Sequence, residues 1–579
     1  MVAKISAEKI FKQRMVWLTV FFGLSVIVIV ARLAQIQILS HGYYVALADN
    51  QRTGEYQLQP VRGEIKIQDS FSGQPYTVAT ASEEILVYVN ASEVEDLDGV
   101  VNKLAEMLQL DSQEIRDKIS DQSRKYVILK KNLPDEVVEQ IKEAKLVGVH
   151  FDKETSRFYP EQTLLAQLLG FVGYRDDKLQ GSYGLELAYE KELAGIPGTI
   201  NEETDASGRW IFGSKRDKVS AVNGDDLILT IDKTVQLKTE SILKSTVEKH
   251  GADSGSVVVM DPKTGAIIAM ANYPSFNLNE YSKVDSPEVY VNQTTVGAYE
   301  PGSIFKPLTI AAAVNEGKIN AATTYVDTGE VKVDEYTIKN SDEKAHGVQT
   351  VSQILEESLN TGTIFAKNTI GNTKFLEYVK RFGFGEYTGI EVAESAGNLA
   401  NLKGNIQVNY HTASFGQGIL VTPIQMVRAF SALANNGKMA SPYLVEEIVG
   451  PYGDVRKPEH GAAIEVISPK TASEVSAMLV NVVEKGHGKA AAVPGYYVAG
   501  KTGTAQVAKK DGSGYQENNN IGSFIGYAPV EDPKFVMIVR INHPRTVKFA
   551  ESTAAPAFGE IAQFLLQHYH VIPTRTVQK

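Results

Sequence analysis

The first forty residues constrain this chain most, because they include a segment that is long and apolar enough to cross a membrane. The run from Met15 to Ala31 contains no charged residue. Together with the stretch that ends at Leu39, it is long enough to span a bilayer with some tilt. Basic residues precede it at Lys4, Lys9, Lys12 and Arg14. This charge bias predicts a cytoplasmic N-terminus and an extracytoplasmic remainder.

A cleaved signal peptide is the alternative interpretation of this segment. The apolar run is longer than the usual apolar part of a signal peptide, and no clear small-x-small cleavage site follows it. We therefore expect a cytoplasmic tail over residues 1–14 and an uncleaved anchor over residues 15–39. The predicted protein crosses the cytoplasmic membrane once.

The rest of the chain is too long for one ordinary hydrophobic core. The sequence has 579 residues, a net charge of −11 and no cysteine. The negative charge argues against a nucleic-acid surface, and the lack of cysteine excludes disulfides and thiolate chemistry. Residues 40–218 alternate between strand and helix patterns without a convincing catalytic arrangement. They predict an elongated mixed domain outside the cell that acts as a spacer, or pedestal, or binds a partner.

A second domain is predicted over residues 219–570, after a polar, turn-like boundary near residues 215–225. A hairpin pattern covers residues 255–270, helical patterns dominate from 303 to about 440, and strand patterns return at Tyr496. A last helix fits Thr553 to Tyr569. This order predicts an α/β (α+β) fold in which a central antiparallel sheet is flanked by helices, followed by a C-terminal tail over residues 571–579.

The chemistry of this domain is predicted from the stretch Glu300–Pro307. Pro301-Gly302 breaks the preceding structure, and the following Ala-rich run has the composition of a buried helix. Ser303 then lies at a helix start, with Lys306 three residues later on the same face. A lysine kept neutral by burial and nearby positive charge can take the proton of a serine nucleophile. The helix N-terminus supplies N–H groups for an oxyanion.

Two further motifs complete an ordered set. Ser358-Leu359-Asn360 is predicted in a loop between helices, and Lys501-Thr502-Gly503 on a strand. Each motif is weak alone, because similar short motifs recur along the chain, at Ser6–Lys9, Ser241–Lys244, Lys263–Gly265 and Ser275–Asn277. The first of these lies before the anchor, and the others fall in mid-helix, in a hairpin turn and in a loop. The order of the remaining three motifs is the stronger signal.

This ordered set resembles the active-site motifs of penicillin-binding proteins and serine β-lactamases. The flanking segments are similar to those of class B penicillin-binding proteins, from the anchor to about residue 570. Length and Glu-Pro-Gly-Ser favour the division-type branch. The segments that carry the resemblance are Met260–Gly265, Tyr299–Ser303, Ser414–Gly418, Val421–Pro423, Lys501–Ala505 and, in the pedestal, Pro60–Gly63 and Gly184–Glu186.

One segment departs from the pattern of that family. Ile67–Gly73 replaces the short Asp-Arg-Asn-Gly turn that usually follows the Arg-Gly pair, here Arg62-Gly63. The departure concerns the contacts that the pedestal makes with its partners and leaves the predicted chemistry unchanged.

The resemblance implies a catalytic role for five residues. Ser303 would attack the carbonyl of the penultimate D-Ala of a stem peptide, and Lys306 would take the proton. Ser358 and Asn360 would relay protons and hold Lys306 and the substrate amide. Lys501 would lower the pKa of Lys306.

The resemblance also implies the substrate and the partners. Lys501, with Thr502 and Thr504, would attract the substrate carboxylate, and Gly503 would belong to the same substrate-binding strand. The N–H groups of Ser303 and Thr504 would form the oxyanion hole. An amine of a neighbouring stem peptide would then take the acyl group, and β-lactams would acylate the same serine. No metal or cofactor is required. A membrane glycosyltransferase and division proteins of the membrane are the expected partners, and septal cell-wall synthesis is the expected process.

Four alternatives remain open at this stage. Gly495–Thr502 matches the pattern of a phosphate-binding loop, but its residues favour a strand, and it lies outside the cell. A metal hydrolase would need clustered histidines, and no His-Glu-x-x-His occurs. A catalytically silent division scaffold, and a hydrolase of the D,D-carboxypeptidase or β-lactamase type, share the predicted motifs.

Overall fold

The computed structural model describes residues 2–45, 53–175, 178–203, 211–214, 216–508, 514–547 and 549–575. The chain divides into two compact units. The first combines Met1–Pro60 with Gly195–Asn223, and the second combines Val61–Ala194 with Gly224–Lys579. The domain boundaries predicted at residues 39, 218 and 570 stay predictions.

The first unit contains the N-terminal helix and a small antiparallel sheet. The helix runs over Val2–Ala34 and continues as a π-helical turn over Gln35–Leu39. Within the described residues, Glu8–Leu39 is the one helical stretch long and apolar enough to cross a membrane, with a mean hydropathy of 2.3 and none of it buried by protein. The sheet has the strand order Thr53–Leu58, Gly198–Glu203, Arg216–Val219.

The second unit begins with a mixed sheet and three helices. The helices Leu97–Leu108, Ser112–Ile119 and Asp135–Glu143 bury their apolar faces against it in one core. Asp96 and Asp111 cap the first two helices by accepting hydrogen bonds from backbone N–H groups. The strand order is Val455–Arg456, Val445–Val449, Asp226–Asp232, Ile65–Gln68, Tyr76–Val89, Val127–Lys130, with Val149–Phe158 also paired to Tyr76–Val89.

Short elements join this sheet to the rest of the unit. They are the helices Ala166–Leu169, Gly184–Ala188 and Glu190–Leu193 and the hairpin Phe171–Arg175 with Lys178–Ser182.

A five-stranded antiparallel sheet forms the centre of the rest of the second unit, as predicted. Its strands are numbered here along the chain, and their order in the sheet is β2-β1-β5-β4-β3. The predicted hairpin over residues 255–270 is confirmed as the β1–β2 pair. The strands are β1 Ser254–Met260, β2 Ile267–Tyr273, β3 Ala499–Ala508, β4 Tyr515–Ala528 and β5 Phe535–Asn542.

The strand predicted to start at Tyr496 begins three residues later, at Ala499. The Tyr496 hydroxyl instead donates a hydrogen bond to the carbonyl of Val571, 2.6 Å away, so this residue ties a turn to the end of the chain. A local strand pattern does not reveal such a long-range contact.

Helices cover both faces of this sheet and are also numbered along the chain. The first and the last, α1 and α8, pack on one face, and the others form a layer on the opposite face. Central strands are therefore buried on both sides, which explains the uninterrupted apolar run Phe535–Val539 in β5. The helices are α1 Lys233–Lys249, α2 Lys306–Asn315, α3 Val351–Glu356, α4 Asn360–Arg381, α5 Gln407–Ser414, α6 Pro423–Ala434, α7 Pro469–Glu484 and α8 Ala554–His568.

The helical layer also contains small strand pairs that the sequence analysis did not predict. Each strand of these pairs has four residues or fewer, so the alternation of apolar and polar residues along it is too short to distinguish it from a loop. The pairs are Thr324–Asp327 with Gly347–Thr350, Glu330–Val333 with Tyr336–Lys339, and Lys438–Met439 with Ile464–Glu465.

Candidate active site

Ser303 lies in a 3-10 turn, Gly302–Phe305, that leads directly into α2. The turn opens at Gly302 with φ of 57°, a conformation that glycine adopts without strain. The serine is partly exposed, while Gly302, Ile304 and Phe305 are buried. The candidate nucleophile is thus reachable, and it stands on rigid backbone at the start of a helix, where free N–H groups point outward.

Lys306 is fully buried and reaches the second motif. Its Nζ donates a hydrogen bond to the carbonyl oxygen of Ser358 at 2.5 Å and lies 3.3 Å from Ser358 Oγ. Burial lowers the pKa of Lys306 well below its usual value, and the charge of Lys501 lowers it further. A lowered pKa favours the neutral amine, which can accept a proton.

The Ser358 loop is held in a strained conformation by its surroundings. Ser358 has φ of 58°, in the left-handed region that serine rarely adopts. Asn360 begins α4, and its side-chain amide donates to the carbonyl of Lys339 at 2.8 Å. The next residue, Thr361, donates to the buried carboxylate of Asp327 at 2.6 Å. These bonds fix the end of the loop that leads into α4.

Lys501 occupies the edge strand β3 and is fully buried. Its Nζ donates to the carbonyl of Thr502 at 3.2 Å. Burial lowers the pKa of Lys501 to about 7, and the charge of Glu551 opposes this shift. Thr504, on the same strand, is partly exposed, and its Oγ1 accepts a hydrogen bond from Ala550 N at 3.3 Å.

Glycine at position 503 lets β3 approach the turn that carries Ser303. A Cβ at Gly503 would lie 2.9 Å from Ile304 Cγ2 and 3.1 Å from the carbonyl of Pro301. The third motif therefore packs directly on the first, and its last residue, Gly503, has to be small for both to fit.

The nucleophile turn is held from the other side by the segment after α5. Gly302 N donates to the carbonyl of Gly416 at 3.0 Å. Glu300 accepts a hydrogen bond from Gly418 N at 2.9 Å and another from the Tyr515 hydroxyl at 3.1 Å. Tyr299 pairs with Val421 through backbone hydrogen bonds. The flanking segments that carried the resemblance thus contact one another around Ser303.

Arg540 is a residue at this site that the sequence analysis missed. It lies on β5, is 6% exposed, and its guanidinium sits 4.3 Å from the centroid of the Tyr299 ring. One guanidinium nitrogen donates to the carbonyl of Gly297 at 2.8 Å. The only local signal for it is an arginine inside an apolar strand sequence. Arg540 supports the backbone just before the nucleophile turn.

The two pedestal segments of the resemblance meet through buried ion pairs. Glu186 is fully buried and accepts hydrogen bonds from Arg62 and Arg157, each at 2.7 Å. Arg62 also lies 2.7 Å from Glu190. A buried carboxylate is stable here because two guanidinium groups satisfy it.

The other copies of the Ser-x-x-Lys and Lys-Thr-Gly motifs lie apart from the site around Ser303. Ser241 and Lys244 are exposed on α1, and Lys263–Gly265 forms the β1–β2 turn. The segment that matches a phosphate-binding loop runs into β3, which continues to Ala508. A phosphate-binding loop leads into a helix, so this alternative is wrong.

Comparisons with known proteins agree with this geometry. Residues 255–563 match the family model described as penicillin binding protein transpeptidase domain, and residues 57–229 match the penicillin-binding protein dimerisation domain. Stage V sporulation protein D of Bacillus subtilis is 33% identical over 572 residues, 97% of this chain and 87% of that protein. Peptidoglycan D,D-transpeptidase FtsI of Escherichia coli is 28% identical over 555 residues, 94% of this chain and 90% of that protein.

Solved structures of similar proteins share the fold. Penicillin-binding protein 2X from Streptococcus thermophilus has a TM-score of 0.72 and 25% identity, with 89% of this chain and 80% of that chain covered. A peptidoglycan synthetase from Bifidobacterium adolescentis has a TM-score of 0.71 and 27% identity, with 91% and 99% covered. With both family models matched in order along one chain, this protein belongs to the class B penicillin-binding proteins, as a serine peptidoglycan D,D-transpeptidase of the division type.

Proposed function

We propose that Ser303 is the residue acylated in this transpeptidase and that Lys306 is its general base. The hydroxyl attacks the carbonyl carbon of the penultimate D-Ala of a donor stem peptide, and its proton moves to the neutral amine of Lys306. That proton then passes through the Ser358 hydroxyl to the nitrogen of the departing D-Ala. The buried contact of Lys306 with Ser358 is the observation that supports this route best.

The third motif binds the end of the donor. Lys501, Thr502 and Thr504 attract the terminal carboxylate, while Gly503 leaves room for the strand beside the nucleophile. The N–H groups of Ser303 and Thr504 donate to the oxyanion of the tetrahedral intermediate. Asn360 holds the substrate amide and the proton relay. No metal or cofactor enters this scheme, because acyl transfer needs only a nucleophile, a base and oxyanion donors.

The second half of the reaction makes the cross-link. An amine of a neighbouring stem peptide attacks the acyl-enzyme carbonyl, the new amide forms, and Ser303 regains its proton. A β-lactam acylates the same serine, as expected for a penicillin-binding domain.

The cellular setting is part of the same proposal. The N-terminus lies in the cytoplasm, the catalytic domain lies outside the cytoplasmic membrane, and the enzyme acts in septal wall synthesis. A membrane glycosyltransferase supplies the glycan strands, and membrane proteins of the division complex are the other partners. The proposed segments are a cytoplasmic tail 1–14, anchor 15–39, pedestal 40–218, transpeptidase domain 219–570 and tail 571–579.

Covalent labelling with a fluorescent penicillin tests the nucleophile. Wild type should be labelled on a denaturing gel, and Ser303→Ala should lose all labelling. Ser241→Ala is the matched control, because it removes the serine of the exposed Ser-x-x-Lys motif on α1, and it should label like wild type. Labelling that survives in Ser303→Ala would disprove the assignment of Ser303.

Product analysis separates the two alternatives that share the motifs. With stem-peptide donor and acceptor, we expect cross-linked product. Release of D-Ala without cross-links, even at high acceptor concentration, would favour the hydrolase. A well-folded wild type that no penicillin labels would favour the silent scaffold.

A further inference from the structure

A carboxylate and an imidazole form a pair beside the third motif. Glu551 lies in the 3-10 turn Ala550–Ser552, and its carboxylate is 2.8 Å from Nδ1 of His487. The side chains are 45% and 43% exposed, so a ligand can reach both. The reaction scheme above gives neither residue a role.

The turn that carries Glu551 is fixed against the substrate-binding strand. Ala550, the residue before it, is fully buried, and its N–H donates to Thr504 Oγ1 at 3.3 Å. On the neighbouring strand β4, a Cβ at Gly522 would lie 3.3 Å from Ala550 Cα, so the turn packs tightly on the sheet. Glu551 therefore carries its negative charge next to Ala550, the residue that contacts the carboxylate-binding strand β3. Its effect on the pKa of Lys501 agrees with this placement.

The other member of the pair approaches the second motif. His487 follows Gly486, and a Cβ at Gly486 would lie only 2.6 Å from the carbonyl of Glu356. Glu356 ends α3, two residues before Ser358. The pair of Glu551 and His487 thus lies between a turn that contacts β3 and a residue next to the end of α3.

A negative charge in this position does not favour the donor substrate. The donor ends in a carboxylate that binds Lys501, Thr502 and Thr504 in the proposed function, and like charges repel. A cation is the complementary ligand. The acceptor amine is such a cation, because an alkyl amine with a pKa near 10.4 is an ammonium at neutral pH.

Geometry also favours the acceptor. The incoming nitrogen must take the position that the nitrogen of the departing D-Ala leaves, on the side of the acyl carbonyl where the D-Ala carboxylate was bound. We infer that Glu551, oriented by His487, binds the primary amine of the acceptor stem peptide at this position beside β3. This inference rests on the proposed function and adds to it a site for the second substrate.

The reaction balances with the residues present. The bound ammonium releases one proton to solvent and becomes a neutral amine. Its nitrogen attacks the acyl carbonyl, so the C–N bond forms and the ester bond to Ser303 Oγ breaks. The second proton moves through Lys306 to Ser303 Oγ, and the free enzyme is restored.

Partitioning of the acyl-enzyme between two nucleophiles tests the site. Full-length protein in detergent is acylated with a thioester analogue of the donor, and the ratio of aminolysis to hydrolysis is measured with two acceptors. One is a peptide amide with a free side-chain amine, which is cationic, and the other is hydroxylamine, which is neutral at pH 7. Glu551→Gln should lower the ratio about threefold to fivefold for the cationic acceptor, as expected for a half-exposed charge, and leave it unchanged for hydroxylamine.

Control variants make each outcome decisive. Glu551→Asp should recover much of the loss, His487→Gln should reproduce part of it, and Glu531→Gln, an exposed glutamate in the β4–β5 turn, should have no effect. An unchanged ratio, an equal loss for both acceptors, or a loss of penicillin labelling in Glu551→Gln would overturn the inference. Failure of the proposed function would look different, because wild type itself would then not be acylated.

Discussion

Two lysines share the buried site, and the charge of Lys501 affects Lys306. Lys306 and Lys501 are both fully buried, and burial is the larger cause of the lowered pKa of each. The additional effect of Lys501 on Lys306 is electrostatic. A cation next to the base therefore has two functions in the proposed scheme, because it binds the substrate carboxylate and also keeps the base neutral.

The pH profile of acylation tests this coupling. Acylation needs neutral Lys306, so its rate should fall as pH drops through the pKa of Lys306. Lys501→Gln removes a positive charge, which raises the pKa of Lys306, so the acid limb should move to higher pH. The second-order rate constant for penicillin acylation, measured from pH 5 to 10, reports the position of this limb.

The size of the rate constant is not the readout, because Lys501→Gln also weakens carboxylate binding at every pH. Lys501→Arg keeps the charge and should leave the acid limb near its wild-type position. A limb that stays in place in Lys501→Gln would mean that Lys501 does not control the protonation of Lys306. In wild type, deprotonation of Lys501 near pH 7 should also weaken binding of the carboxylate at alkaline pH.

At the scale of elements, the site depends on close backbone contacts between segments far apart in sequence. The 3-10 turn of Ser303 is held between β3 and the segment after α5, and glycines stand at both contacts. Gly416 has φ of 83°, and a Cβ there would lie 2.3 Å from the carbonyl oxygen of Gly302. Backbone atoms cannot move aside as a flexible side chain can, so this contact is sensitive to one added carbon.

Gly416→Ala should displace the nucleophile turn and lower the rate of penicillin acylation by tenfold or more. Gly453→Ala is a matched control, because Gly453 has φ of 84° and a Cβ there would meet nothing within 4 Å. Both variants lose about 1 kcal/mol from left-handed backbone strain, but only Gly416→Ala has the clash. Thermal unfolding measures the loss of stability that both variants share. Labelling kinetics measure the effect of the clash on acylation. Equal acylation rates in the two variants would contradict the role of this contact.

Local patterns predicted which elements exist and left their mutual contacts undetermined. The helix after Ser303, the β1–β2 hairpin and the antiparallel sheet have clear apolar periodicity and turn residues, and all are confirmed. The stack of Arg540 on Tyr299, the ion pairs of Glu186 and the pair of Glu551 and His487 are not visible in any window of sequence. Each joins residues that only the tertiary fold brings together. The assigned roles of the predicted site residues remain for the experiments above.

At the scale of the whole molecule, the membrane helix limits where the enzyme can work. The central part of Glu8–Leu39, from Met15 to Ala31, has no charged residue, and none of it is buried by the part of the chain that the structure describes. The hydroxyls of Thr19 and Ser25 donate to carbonyls four residues earlier, at 2.9 and 2.8 Å, so the helix satisfies these polar groups internally. Such a helix suits a lipid environment and agrees with a protein that crosses the membrane once.

The proposed topology predicts which end of the chain a protease can reach. Four basic residues, Lys4, Lys9, Lys12 and Arg14, precede the apolar core, while Arg32 is near its other end and donates to Gln35 at 2.7 Å. This bias should hold the N-terminus in the cytoplasm. Protease added to intact spheroplasts should remove a C-terminal tag and leave an N-terminal tag protected, and both tags should be lost after lysis. Replacing the four basic residues with glutamine should lower the fraction of chains whose C-terminal tag is cleaved. A C-terminal tag that is protected in wild-type spheroplasts would place the catalytic domain in the cytoplasm. That result would exclude an enzyme that cross-links the wall.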